Sequence, residues 1–366
     1  MSGEASPVDA DALAGWLGER LPRAKELTVV DLVSPSSTGM SNETMLYTAH
    51  WREEGHRRSA SHVLRRAPSG HTVFRHYDLA VQYRCMAIMN RHGVPVPRVL
   101  WHEDEQDVLG QPFYVMERVE GVIPSDMPPY PSEGWLRDAD PEQQRRLFLA
   151  SLDVLAAIHA VDWKDAGFGF LDHRADGQSA LDWQVADQRA YLEWACDGRP
   201  EDMPELAAGL AWLEAHRPPA AKQSATVVNW GDARISNMIF RDFRPVAVLD
   251  WEMATLGPRE VDVAWFLYMD RWLSEVVGVS RLPGFPSPAA AAGHYESVSG
   301  AQLADLAWYE MFAAFRFGIH LTRIAQRLVA DGIMPAGEGL DRNNGAVRSL
   351  CRLVGLDEPG EPGLLG

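Results

Sequence analysis

The chain has 366 residues, 46% of them hydrophobic and 23% charged, with a formal net charge of −17. That size and balance indicate a globular protein of more than one lobe, and the acidic charge argues against an extended nucleic-acid surface. No run approaches 18 consecutive apolar residues, so no membrane-spanning helix is expected.

The first residues, "MSGEASPVDADALAGWLGERL", lack the basic and apolar regions of a secretory signal. Cys85, Cys196 and Cys351 show neither a metal-ligand spacing nor an even count. A cytoplasmic protein with reduced thiols is the expectation, with no membrane and no nucleic-acid partner. The charge is uneven: residues 1–120 hold 13 Lys and Arg against 16 Asp and Glu, a net −3, which leaves −14 on the remainder. An acidic second half can attract a cationic ligand, and it also keeps solvated helices apart.

In chain order, "ELTVVDLV", "ETMLYTAHW" and "SHVLRRA" read as strands, with the Gly/Ser-rich "SPSSTGMSN" as the turn between the first two. "DLAVQYRCMAIMNRHG" repeats Leu79, Tyr83, Met86, Ile88 and Met89 at helical spacing and stops at Gly93. Strands around "RVLWHE" and "PFYVMERV" follow, and then "EGVIPSDMPPYPSEG" breaks the pattern with four prolines. The rest is mainly helical. "QRRLFLASLDVLAAIHAVDW" sets Phe148, Leu152, Leu155 and Ile158 on one face, and "LADLAWYEMFAAFRFGIHLTRIAQRLVADG" is long enough for a core helix. "GRPEDMP", "RLPGFPSPAAAAG" and "GLDEPGEPGLLG" read as loops.

The chemistry concentrates in "NWGDARISNMIF". After Asn237, "MIFR" and "VAVL" read as two strands joined by a turn at "DFRP", ending at Asp250 thirteen residues on. Such a hairpin returns Asn237 and Asp250 to one edge, with Asp232 in the preceding loop able to face them. An amide oxygen and two carboxylates suit a hard divalent cation that keeps some water and binds phosphate. The plain alternatives are that Asp232 caps a turn and that Asp250 is a strand-end residue.

"GDARISN", "VLDWEMATLG" and "GPREVDVAWF" together resemble the site of the aminoglycoside phosphotransferase and choline kinase family, relatives of the protein kinases. The closest resemblance is to the branch related to acyl-CoA-dehydrogenase-fused kinases. The resemblance runs from about residue 28 to residue 330. It implies an α+β, two-lobed protein-kinase-like fold, with a small antiparallel sheet lobe (1–116), a hinge (117–120) and a larger, mainly helical lobe (121–366). It further implies Asp232 as the catalytic residue and Asn237 and Asp250 as ligands of Mg²⁺. Ser37, Thr38, Gly39 and Asn42 would form the nucleotide loop, Arg65 (with Arg66 as the alternative) the phosphate-pairing cation, and Glu117 and Val119 the hinge contacts. The expected reaction moves the terminal phosphoryl group of ATP or GTP to a hydroxyl of a small molecule, aminoglycoside-like or a hydroxyacyl thioester.

Several positions depart from the family pattern. Trp230 stands where most relatives carry His, and Gln82 where a Glu would pair with the cation, for which Asp78 is the substitute candidate. His159 reads as a hydrogen-bonded packing residue and Asp262 as a brace of the catalytic loop. Gln82 and Trp230 motivate the rival reading, a nucleotide-binding pseudokinase acting through conformation or partner contact.

Overall fold

The computed structural model describes residues 8–35, 42–68, 70–219, 225–335 and 339–360. Helix α1 (Ala10–Arg20) leads into a five-stranded sheet of β1 (Lys25–Val33), β2 (Glu43–Glu53), β3 (His56–Arg66), β4 (Val99–Glu103) and β5 (Phe113–Glu117), in the order β1-β2-β3-β5-β4. Every pairing is antiparallel. β2 and β3 are joined at Glu54 and Gly55, both at positive φ, the geometry that lets two residues reverse a twisted hairpin. Alternation along β3 sends Leu64 into an outer core with Trp16, Tyr47 and Phe113, while Val63 joins the main core. Helix α2 (Leu79–Arg91), placed between β3 and β4, is capped by Asp78, whose carboxylate accepts from the Val81 amide.

Beyond β5 the chain runs without a helix to α3 (Pro141–His159). Asp140 and Gln143 start α3 with a reciprocal capping box, and Pro141 fits its first turn. α4 (Ala180–Ala195), α5 (Pro204–Ala215), α6 (Glu260–Glu275), α7 (Pro288–Ser299), α8 (Leu306–Ala330) and α9 (Gly345–Val354) complete the helical part. α8 packs against α6, α5 and α9 and is buried from Trp308 to His320 on nearly every side.

Three helices depart from the sequence reading. Residues 10–20 form α1, with Asp9 as N-cap and the Trp16 indole donating to Glu103 at 2.7 Å. "PAAAAG", which reads as loop, opens α7: Ser287 caps it, Pro288 occupies its first position, and the alanines that follow have the highest helix propensity. α9, capped by Asn344, was assigned to no element.

Two short ladders stand between sheet and helices. β6 (Thr226–Asn229) pairs with β9 (Thr255–Pro258), and β7 (Met238–Arg241) pairs with β8 (Arg244–Val248). The reversal in the second is tighter than expected. Only Asp242 and Phe243, both at positive φ, separate Arg241 from its partner Arg244. Gly121 crosses the back of this hairpin so closely that a Cβ there would stand 2.6 Å from the Phe240 carbonyl oxygen.

Candidate functional site

β6 delivers the chain to Trp230, Gly231 and Asp232, and the first two are held through their backbones. The Asp262 carboxylate accepts from the Trp230 amide at 2.6 Å and the Gly231 amide at 3.0 Å. His159 Nε2 donates to the same carboxylate at 3.1 Å, and its Nδ1 meets the Tyr295 hydroxyl at 2.7 Å. Asp262 is the loop brace anticipated from the sequence, and His159 supports it from α3. Gly231 has φ of +92°, and any Cβ there would overlap the Met253 carbonyl, so conformation and space both demand glycine. The Trp230 side chain is fully buried and donates its indole N–H to the Leu249 carbonyl at 2.8 Å. It thereby ties the loop to the strand end that carries Asp250.

Asp232 is 9% exposed. Its Oδ2 accepts from Asn237 Nδ2 at 2.7 Å and Arg234 Nε at 3.1 Å, while Oδ1 accepts from Trp265 Nε1 at 3.0 Å. Burial raises the affinity of this carboxyl for a proton; the Arg234 charge and the Asn237 bond oppose that, and the Asp250 and Asp126 charges add to it. Arg234 also pairs with Asp126, which binds the Ser236 hydroxyl as well. The Leu249 amide donates to the Asn237 carbonyl at 2.8 Å, one step beyond the Met238–Val248 pair, so Asn237 and Asp250 leave the same end of the hairpin. The Asn237 amide nitrogen is committed to Asp232, an orientation that leaves its oxygen for a cation. Asp250 has φ of +53°, in the left-handed region that costs a non-glycine residue on the order of 1 kcal/mol or more.

Arg65 reaches Asp250 from the sheet, with Nη2 2.6 Å from Oδ1 and Nε buried without a hydrogen bond among the described residues. Arg66, the alternative, is turned by alternation to the other face, onto Glu43 and the Leu109 carbonyl. The substitution at position 82 is not compensated by Asp78, which spends its carboxylate on capping α2. Gln82 instead accepts from the Tyr114 hydroxyl at 3.3 Å. Asn42 donates to Glu252 at 3.1 Å, and Ser37, Thr38 and Gly39 lie outside the described residues. The Glu117 amide is used by the Arg98 carbonyl at 2.9 Å, so a hinge contact from Glu117 has to come from its carbonyl. Among the described residues no three His, Cys, Asp or Glu side chains surround one point. Asn237 and Asp250 therefore suit a cation that shares its shell with phosphate oxygens and water, and the Arg65 guanidinium already shows that Asp250 accepts a positive partner.

Arg234, Trp265, Arg316, Asp126 and Glu252 have no role in the sequence reading. Two of them carried a signal: Arg234 is two residues from Asp232, and Glu252 two from Asp250. Trp265, Arg316 and Asp126 are brought in by tertiary packing.

The profile of the family described as phosphotransferase enzymes (APH) matches residues 44–312, most of the chain. The chain belongs to the phosphotransferase enzyme family. The chain is 29% identical over 330 residues to an Arabidopsis thaliana protein named as acyl-CoA dehydrogenase IBR3, covering 86% of this chain and 38% of that one. A provisionally assigned aminoglycoside phosphotransferase from Ralstonia eutropha shares the fold at 22% identity and a TM-score of 0.66, covering 94% of this chain and 96% of that one. So does the aminoglycoside phosphotransferase APH(4)-Ia, solved as a thermostable mutant with ADP and hygromycin B, at 17% identity and a TM-score of 0.54, covering 93% and 98%. The α+β, two-lobed kinase-like architecture is thus shared with proteins of low sequence identity. The chain spans well under half the length of the curated relatives it matches.

Proposed function

We propose that this protein is a small-molecule kinase that moves the terminal phosphoryl group of ATP or GTP to an alcohol, with Asp232 as the group that orients the hydroxyl and accepts its proton. The observation that carries this reading is the setting of Asp232, a buried carboxylate held by three donors beside the hairpin end where Asn237 and Asp250 emerge. A carboxylate whose proton affinity is raised by burial is better matched to accepting a proton near neutral pH.

Asn237 Oδ1 and the Asp250 carboxylate would hold Mg²⁺. When bound, the ion neutralises charge on the nucleotide phosphates. Arg65, released from Asp250, can turn its guanidinium to a phosphate and grip it through two N–H groups. Ser37, Thr38, Gly39 and Asn42 would cover the phosphates, while the Glu117 carbonyl and the Val119 amide would meet the base. In this reading residues 1–116 hold the nucleotide, 117–120 act as the hinge, 121–366 bring catalytic loop and acceptor together, and the protein works in the cytoplasm, away from membranes and nucleic acid.

Two acceptor classes compete. A structural neighbour binds hygromycin B, and the acidic second half of this chain suits a cationic antibiotic. The curated relatives are named as acyl-CoA dehydrogenases, which points to a hydroxyacyl thioester. The test is a coupled assay for ADP or GDP release across both classes, run beside Asp232→Asn. Turnover on one class, lowered roughly 10²–10⁴-fold by that substitution while nucleotide still binds, supports the reading. A wild-type protein that binds nucleotide and transfers to no acceptor favours the pseudokinase alternative, which Gln82 motivates by leaving α2 without a charge for Arg65.

A further inference from the structure

Outside the groups already assigned, two buried side chains converge on Asp232 from distant parts of the chain. Asn237 and Arg234 both donate to Oδ2, so they alone would leave the carboxylate free to swing about that oxygen, a torsion with broad wells. Trp265, on α6, donates to Oδ1 at 3.0 Å and closes that freedom. Its ring is 1% exposed and lies in an aromatic setting, with Phe317 and His320 each at 5.9 Å between centroids.

The guanidinium of Arg316, on α8, lies 4.6 Å from the centroid of the Trp265 ring. Arg316 is 4% exposed, donates from Nη2 to the Gly231 carbonyl at 3.3 Å, and buries Nη1 without a partner among the described residues. A cation withdrawn from water without a paired carboxylate is costly, and an apolar side chain would fill the space at lower cost. What Arg316 offers instead is a charge over the indole face and a bond to the peptide oxygen preceding Asp232.

We propose that Trp265 and Arg316 are positioning residues for phosphoryl transfer: the indole fixes the Asp232 carboxylate plane, and the guanidinium fixes the indole and the Gly231 peptide together. Neither touches the reacting atoms. The inference rests on the reading of Asp232 as the group that meets the hydroxyl.

The experiment is a double-mutant cycle on basal ADP release from Mg·ATP with water as acceptor, using Trp265→Phe, Asp232→Asn and the pair together. Trp265→Phe should lower kcat about tenfold, the worth of one hydrogen bond to a charged group, with KM for Mg·ATP unchanged. In the Asp232→Asn background it should add less than about twofold, because the bond it removes acts through that carboxylate. Arg316→Met should lower kcat in the same direction and Arg316→Lys recover part of the loss. The Trp265 indole N–H resonance should shift in Asp232→Asn. If Trp265→Phe does not fold, a benzothienyl side chain at 265, which exchanges the N–H for sulfur and keeps the ring shape, gives the same comparison. Wild-type kcat, or an equal loss in both backgrounds, overturns the inference alone. An Asp232→Asn protein as fast as wild type overturns the reading of Asp232 and this inference with it.

Discussion

The two halves of the site are held in different ways. On the sheet side, the described contacts to the hairpin and its following turn include two from side chains, Arg65 to Asp250 and Asn42 to Glu252, and one between backbones, from the Val248 amide to the Pro95 carbonyl. On the helical side, the loop from Trp230 to Asp232 is fastened through Asp262, His159, Trp265, Arg316, Asn237 and its own buried indole. The contrast follows from what each half has to do. In the proposed reading, Arg65 and Asp250 neutralise one another until a cation and a phosphate take over, so their pairing has to be exchangeable. A proton acceptor, the role proposed for Asp232, has to keep its place through every turnover, and many bonds at low exposure give it that.

The sharpest way to break this contrast is at Trp230. If the buried indole steadies the helical side, Trp230→Ala leaves a void and an orphaned Leu249 carbonyl, and denaturant unfolding should show a loss of roughly 3–5 kcal/mol. A loss below about 1 kcal/mol would place the stiffness elsewhere.

His320, beside Trp265, offers a test through pH. Burial, with Arg316 and Arg234 nearby, lowers its pKa from 6.5 to about 3. Between those values the unfolded chain binds a proton that the folded one refuses, so folding stability falls as pH drops below 6.5. From pH 7 to pH 4 this group alone should remove about 3 kcal/mol. His320→Gln should flatten that part of the stability curve, and an unchanged slope would show that the residue titrates freely.

On the sheet side the effect moves from folding to binding. Arg65→Ala should weaken nucleotide affinity by roughly 10–100-fold in calorimetry, as expected for a lost charge-assisted contact of about 1.5–3 kcal/mol, and leave the fold intact. An equal loss of stability and affinity would mean that the Arg65–Asp250 pair is structural. Smallest is Asp78→Ala. As a helix cap it should cost about 1 kcal/mol of stability and nothing in nucleotide affinity. A tenfold loss of affinity would restore it as a partner of Arg65.

Much of this architecture was written in periodicity and punctuation. The β2–β3 hairpin, the α2 pattern from Leu79 to Met89, the capping box that opens α3 and the apolar run of α8 are local features, decided by neighbours within a few residues. The same holds for the pairing of Asn237 with Asp250, because equal strand arms about a short turn bring their ends together whatever else surrounds them. α1, α7 and α9 escaped because short helices have weak local signals and are stabilised by the surfaces they cover.

What only the tertiary structure decided is the company each charged group keeps. Arg65 and Arg66 are neighbours in sequence, yet strand alternation sends one to Asp250 and the other to Glu43. Asp78, the substitute expected for the missing Glu at position 82, caps α2 at the Val81 amide, and Gln82 accepts from the Tyr114 hydroxyl. Trp265 and Arg316, 33 and 84 residues beyond Asp232, meet it because α6 and α8 pack against each other. Hairpin and helix geometry are set by short-range sterics and hydrogen bonding, which a sequence pattern encodes. The partner of a buried charge is set by which elements share a core, and that is fixed only when the chain is folded.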